Sequence, residues 1–253
     1  MSHVPAATRA LRVLRFLATQ ADPVSIEALM RACELPRSTA YHLVNTMIEE
    51  GFVVHLVDER RYGLGVAAFE AGSGYIRQAP LQRIARRPLA QLVDRVGHSA
   101  HLAVLHGRDV LYVVEERAPG RPPLVTDVGV RLPAHLTASG RAIMGSLSAS
   151  QVRALYPDRA AFADRTGNGP QSPTALRAVL TEQRHRGYAV EDGEVTLGMA
   201  SIAVPVLDHN DHPVAGLAVT YPTDTTSAPQ PEVVAHFARL LSQRLGAPTA
   251  RGD

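Results

Sequence analysis

One stretch of the chain carries side chains suited to reading a nucleic acid. Projected at about 100° per residue, residues 36–50 turn Ser38, His42, Asn45 and Thr46 to one side. Thr39 and Glu49 lie beside them, with Arg37 and Tyr41 on the flanks. Hydroxyls, an amide and an imidazole are groups that hydrogen-bond to base edges in a major groove, and a helix N-terminus can meet a phosphate. Arg60 and Arg61 follow in a polar turn, Asp58-Glu-Arg-Arg61, and arginine forks fit phosphate geometry. A polar face that merely meets solvent has the same pattern, so both readings stay open from periodicity alone.

A second constellation lies near the other end. Strand alternation over 199–207 and 214–222 puts Ser201, Ala203, Gly216, Ala218 and Thr220 on one face and Ile202, Val204, Val206, Leu217, Val219 and Tyr221 on the other. Pairing Leu207 with Val214 sets Ser201 opposite Thr220 and Ala203 opposite Ala218. A small-residue face with two hydroxyls means either close packing of a helix or room for a ligand. Leu136-Thr-Ala-Ser-Gly-Arg-Ala142 opens a helix whose backbone N–H groups could hold an anion. Glu191-Asp-Gly-Glu194 offers acceptors nearby.

Catalytic chemistry finds little support. There is no Gly-x-Ser-x-Gly elbow, phosphate-cradling glycine loop or metalloprotease helix. Ser139 stands one turn from His135 without an evident third member. His98, His101, His106, His135, His209 and His212 show no zinc spacing. No catalytic residue, metal or cofactor is expected, and Cys33 reads as a small core residue.

The elements that position these groups follow in order. Helices are predicted over 8–19 and 25–33, the second capped by Ser25. Leu35-Pro36 breaks the pattern, and Pro36 then starts the third helix, whose stripe is Ala40, Leu43, Val44, Met47 and Ile48. Residues 52–57 and 62–65 form a hairpin behind it, giving the order of a winged helix-turn-helix. Helical pattern from Val66 is loosened by Gly72 and Gly74 and resumes at Pro80, marking a linker helix. An amphipathic helix packed on its own domain is the alternative there. Beyond His98 the pattern is α+β. Strands are expected over 101–106, 110–117 and 124–128, helices over 137–147, 149–156 and 173–186, a loop over 156–172, and a last helix over 231–245.

The totals set outer bounds. At 253 residues, with 45% hydrophobic and 20% charged residues, the chain has the make-up of one large or two ordinary soluble domains. No apolar run could span a bilayer and no signal-peptide core is present, so no membrane partner is expected. A lone cysteine excludes a disulfide framework and fits the cytoplasm. The net charge of +2 is too small to advertise a nucleic-acid partner by itself.

Three runs carry a resemblance: Arg9-Ala-Leu-Arg-Val-Leu-Arg-Phe-Leu17, Leu35-Pro-Arg-Ser-Thr-Ala-Tyr41 and Tyr62-Gly-Leu-Gly65. They look like the DNA-binding domain of IclR-type bacterial transcriptional regulators. Leu136–Ala142, Gly187-Tyr-Ala-Val190, Glu191–Glu194 and Ile202-Ala-Val-Pro205 resemble that family's effector domain. The resemblance implies an α+β protein: a winged helix-turn-helix over 1–75, a linker or first effector helix over 76–97, and a GAF-like effector domain over 98–253. It implies a DNA operator as partner, contacted through Arg37, Ser38, Thr39, Tyr41, His42, Asn45, Arg60 and Arg61. It further implies a homodimer or dimer of dimers, and a repressor controlled by a small or aromatic carboxylic acid or related metabolite. Matched motif to motif, the effector pocket falls on Ala138, Ser139, Glu191, Ser201, Ala218 and Thr220. Two positions depart from the pattern. His42 stands where the family often has arginine, weakening any guanine contact there. Ala218 offers only a methyl where another member can place a polar group. The rival reading is a ligand- or metal-binding protein or enzyme of GAF-like fold that keeps the helix-turn-helix as an interaction module.

Overall fold

The computed structural model describes residues 4–78, 80–120 and 124–247. The chain divides into two compact units, Met1–Ala79 and Pro80–Asp253.

In the first unit, α1 (Pro5–Ala18), α2 (Ile26–Cys33) and α3 (Arg37–Glu49) precede a hairpin, β1 (Val53–Leu56) with β2 (Arg61–Leu64), and then α4 (Val66–Gln78). Ser25 caps α2 by accepting the Ala28 N–H at 3.3 Å. Glu34, at φ 55°, ends α2 in the left-handed region and swings the chain into Leu35-Pro36. Pro36 sits at the N-cap of α3 with extended ψ of 148°, one residue before the helix proper. Val13, Leu29, Ala40, Val44, Met47 and Val53 are buried together, so the predicted stripe of α3 is the side that packs. The hairpin is pinned by His55 stacked on Tyr62, centroids 4.4 Å apart. Helix α4 runs unbroken past Gly72 and Gly74, where a loosening was expected. Glycine lowers helix stability by about 1 kcal/mol against alanine without forbidding the helix.

The second unit is a six-stranded antiparallel sheet in the order β5-β4-β3-β8-β7-β6. Its strands are β3 (Ser99–His106), β4 (Asp109–Glu116), β5 (Arg131–Pro133), β6 (Ala189–Asp192), β7 (Met199–Leu207) and β8 (Pro213–Pro222). The helices are α5 (Pro80–Val96), α6 (Ala138–Ser146), α7 (Ala149–Leu155), α8 (Pro173–Arg186) and α9 (Pro231–Arg244). Helices α5 and α9 cover one sheet face, where Leu89, Leu92, Leu102, Leu217, Val219 and Leu241 are buried together. Helix α5 is thus packed into this unit. Pro88 inside it has no N–H for the carbonyl of Ile84, and Arg244 of α9 donates to that carbonyl at 3.0 Å instead.

Helix α6 lies on the opposite face. A Cβ on Gly216 would come within 2.5 Å of the Ser139 carbonyl oxygen, so only glycine lets the helix start sit this close to β8. Ala138 and Ala142 of the helix are buried together with Ala203 and Ala218 of the sheet. The small-residue face therefore packs a helix along part of its length. The β7–β8 register sets Ser201 opposite Thr220 and Ala203 opposite Ala218 as expected, but a bulge at Val206/Leu207 pairs Leu207 with Pro213.

One expected strand is absent. Residues 124–128 form no ladder. The edge of β4 is already occupied by β5 and by Gly129 and Val130, whose backbones bond Tyr112 at 2.9 and 3.1 Å. The expected loop over 156–172 contains one short 3-10 turn, Arg159–Ala161. Strands β5 and β6 were not anticipated.

Candidate functional site

On α3 the residues picked from sequence fall outside the core. Arg37, Ser38, His42 and Asn45 are exposed, while Thr39 and Tyr41 are half-buried. The Arg37 guanidinium lies over the Tyr41 ring at 5.8 Å, which limits its rotamers without using its hydrogen-bond donors. Arg60 is exposed at the hairpin tip with φ of 52°. Arg61 is exposed but donates to the Pro23 carbonyl at 2.8 Å, tying the hairpin to the loop before α2. That backbone bond gives Arg61 a structural task the sequence did not suggest.

In the second unit, a cavity of about 310 Å³ opens between the start of α6 and the sheet. All six residues picked for a pocket line it: Ala138, Ser139, Glu191, Ser201, Ala218 and Thr220. The first two are the opening residues of α6, whose cap Thr137 accepts the Gly140 N–H at 3.1 Å. Sequence reasoning missed His101 and Tyr112, from β3 and β4, and the wall formed by Leu124, Val125 and Thr126. His101 had a signal, since alternation along β3 sends it to the same face as Ala103, but nothing in the sequence says that β3 neighbours β8.

A hydrogen-bonded row crosses the cavity floor. Ser201 Oγ donates to Glu191 Oε1 at 2.8 Å and lies 2.8 Å from Thr220 Oγ1, which lies 3.0 Å from His101 Nε2. Glu191 Oε2 accepts the backbone N–H groups of Glu194 and Val195 at 3.3 and 3.4 Å. Burial pushes the Glu191 carboxyl up to about 7, opposed by its bond from Ser201 and assisted by the charge of Glu194. Burial also depresses the His101 imidazole to about 4, so this ring is neutral at physiological pH, and it raises the Tyr112 hydroxyl.

The rim is fixed by Arg141, 2% exposed. It donates to the carbonyls of His135 and Val190 at 2.7 and 2.8 Å and to Glu194 Oε1 at 2.8 Å. This one side chain ties α6 to β6 and to the turn beyond it. Leu124, Val195, Leu197 and Met199 supply apolar walls, and among the described residues Glu191 is the only formally charged one lining the cavity. Buried Thr126 Oγ1, Ser139 Oγ and His101 Nδ1 meet no hydrogen-bond partner among the described residues. Such groups cost free energy unless a ligand or water satisfies them. The other histidines are spread out: His98 bonds the Ser227 carbonyl at 2.8 Å, His135 that of Ala163 at 3.0 Å, and His106 meets Arg131 at 2.8 Å.

A winged helix-turn-helix unit and an α/β unit with a partly open pocket, in one chain, define the class of ligand-responsive transcriptional regulators. Comparison with known proteins fixes the family. Residues 73–243 match the description "Bacterial transcriptional regulator IclR C-terminal", and residues 6–56 match "IclR helix-turn-helix domain". The chain belongs to the IclR family of transcriptional regulators and is not an enzyme. It is 33% identical to the glycerol operon regulatory protein of Streptomyces coelicolor, over 94% of this chain and 95% of that one. It is 28% identical to the transcriptional repressor IclR of Escherichia coli K12, over 87% of this chain and 80% of that one. The fold matches an IclR homolog from Microbacterium hydrocarbonoxydans complexed with 4-hydroxybenzoate, with a TM-score of 0.78 at 23% identity, covering 95% of this chain and 98% of that one.

Proposed function

We propose that this regulator is a cytoplasmic repressor, acting as a homodimer or dimer of dimers, that gives up its operator when a small or aromatic carboxylic acid fills the cavity. Residues 1–75 carry the DNA contacts, made by Arg37, Ser38, Thr39, Tyr41, His42 and Asn45 of α3 with Arg60 and Arg61 of the hairpin. Residues 76–97 are the linker or first helix of the effector domain, and 98–253 sense the effector. The observation that carries this reading is the cavity with its row of polar groups beside the α6 N-terminus. Support also comes from the relatives, one named a repressor and one holding 4-hydroxybenzoate. Ala138 and Ser139 receive the ligand at the helix start, Glu191, Ser201 and Thr220 set its polar contacts, and the methyl of Ala218 leaves room for a ring.

The two-fold symmetry of a dimer would place its recognition helices on half-sites about one helical turn apart. The effector must favour one arrangement of those helices over another, since a ligand indifferent to both shifts nothing. The test mixes the full chain with its own upstream DNA. Retarded migration is expected, weakened by salt and by Arg37→Ala. A screen of small acids by thermal shift should find a ligand that raises Tm by mass action. Ser201→Leu and Thr220→Leu should each abolish that shift and leave DNA retardation intact. A shift that survives both changes puts the effector elsewhere.

A further inference from the structure

The lining of the cavity is graded from floor to mouth. The floor groups Glu191, Ser201, Thr220 and His101 are all buried. The lining residues that meet solvent are Leu124, Val125, Thr196, Leu197 and Met199, all apolar but Thr196. Val125 is 44% exposed and Leu197 69%. Among the described residues of the second unit, Val128 is the one other exposed large apolar side chain, three residues along from Val125. Scattered exposed apolar residues are ordinary on a protein surface. Here two of the three border one opening, the pattern of a site that something apolar covers.

The backbone beneath both side chains is fixed. Leu197 rides on the turn between β6 and β7, where the Gly193 N–H donates to the Met199 carbonyl at 2.9 Å and the Met199 N–H to that of Thr196 at 3.1 Å. Two bonds pin this turn from outside. Thr223 N–H donates to the Gly198 carbonyl at 2.9 Å, and the Thr166 hydroxyl to that of Gly193 at 2.7 Å. Val125 lies two residues before Asp127, which pairs with Arg117 just beyond β4. Past Asp127 the chain is held again, by the Gly129 N–H on the Tyr112 carbonyl at 2.9 Å. An apolar surface set in place before binding gives up little conformational entropy when a ligand covers it.

We propose that this mouth is a subsite for the apolar end of the effector. The ligand is an amphipathic monoacid, an aryl or alkyl carboxylic acid whose acid end points inward and whose hydrophobic end lies against Val125 and Leu197. This rests on the reading of the cavity as the effector site. Seating such a ligand removes water from Leu124, Val125, Leu197 and Met199, and each methylene buried there raises affinity about fourfold. A ligand polar at both ends loses the hydration of its outer group against apolar walls and finds no replacement. A short polar acid such as lactate leaves the mouth uncovered. The floor therefore selects the acid, and the mouth selects length and polarity. A protein surface laid over the same residues would leave the cavity behind them empty, whereas a small molecule fills both.

The test titrates the full chain with benzoate and its para-alkyl derivatives from methyl to butyl, read by calorimetry and by Tm. Affinity is expected to rise about fourfold per methylene along the series, and terephthalate should bind more weakly than benzoate. Leu197→Ser should flatten the rise, lowering the ratio of butyl to unsubstituted affinity about tenfold, while Leu197→Met keeps it. Val125→Ser should act in the same direction by a smaller factor. Both positions are exposed, so serine there leaves the fold intact. A flat series in wild type, terephthalate equal to the butyl compound, a rise that survives in Leu197→Ser, or no binding by any member overturns the proposal. So does a change of oligomeric state in Leu197→Ser, which assigns that side chain to a protein contact. If the series is flat and Thr220→Leu still abolishes binding, the cavity remains the effector site and only the mouth subsite falls. If the rise survives in Thr220→Leu, the acids bind elsewhere and both readings fall.

Discussion

Two polar surfaces of this molecule solve opposite problems. On α3, Ser38, His42 and Asn45 are exposed, so solvent can satisfy their hydrogen-bonding groups. In the cavity, Glu191, Ser201, Thr220 and His101 are each under a tenth exposed and bond one another. The first costs the fold almost nothing to maintain, because no group loses its hydration. The second must be paired internally, because an unsatisfied buried polar group costs roughly 1–3 kcal/mol. The contrast teaches where a substitution will be felt: on α3 in what the chain touches, in the cavity in the fold itself.

The sharpest break comes from Arg141→Met, which removes one buried and two part-buried hydrogen bonds and takes from Glu194 its ion-pair partner. A loss of about 3–5 kcal/mol in unfolding free energy is expected by denaturant titration. Next is Glu191→Gln. The folded carboxyl titrates near 7 against 4.5 for an unperturbed one. Between those values the folded chain keeps a proton the unfolded chain has lost, so this group's stability contribution falls as pH rises through the window. Its full penalty, about 3 kcal/mol, stands above pH 7. The glutamine variant should match wild type near pH 4.5 and exceed it progressively up to about pH 8, read as Tm against pH. His101, depressed from 6.5 to about 4, acts in the opposite sense, its contribution being lost on acidification through that range. Gly216→Ala forces a methyl against the Ser139 carbonyl and should cost about 1–3 kcal/mol as overpacking. It should also weaken any ligand-induced thermal shift by moving the start of α6. Smallest in stability are His42→Ala and Asn45→Ala, within about 0.5 kcal/mol. Their effect should appear instead in DNA retardation, at about 1–3 kcal/mol for each base contact removed.

The two surfaces also differ in how far the sequence reveals them. The polar side of α3 is a local property: a stripe at helical spacing fixes which side packs, and the remainder faces out. The β7–β8 face is nearly as local, since a short loop sets Ser201 against Thr220. The rest of the cavity depends on pairings that alternation does not specify. His101 meets Thr220 because β3 neighbours β8, 119 residues away. Residues 124–128 were expected as a strand but have no free edge to join, and Leu124, Val125 and Thr126 of the stretch line the cavity instead. Arg141 carries no pattern of its own, and only the fold shows the three partners that make it the rim's anchor.

The most direct measurement is the affinity of the full chain for its upstream DNA with and without the acid that raises Tm most in the screen. The acid is expected to weaken DNA binding by wild type and to leave Ser201→Leu unchanged. An equal response in both proteins would contradict the coupling of cavity to operator.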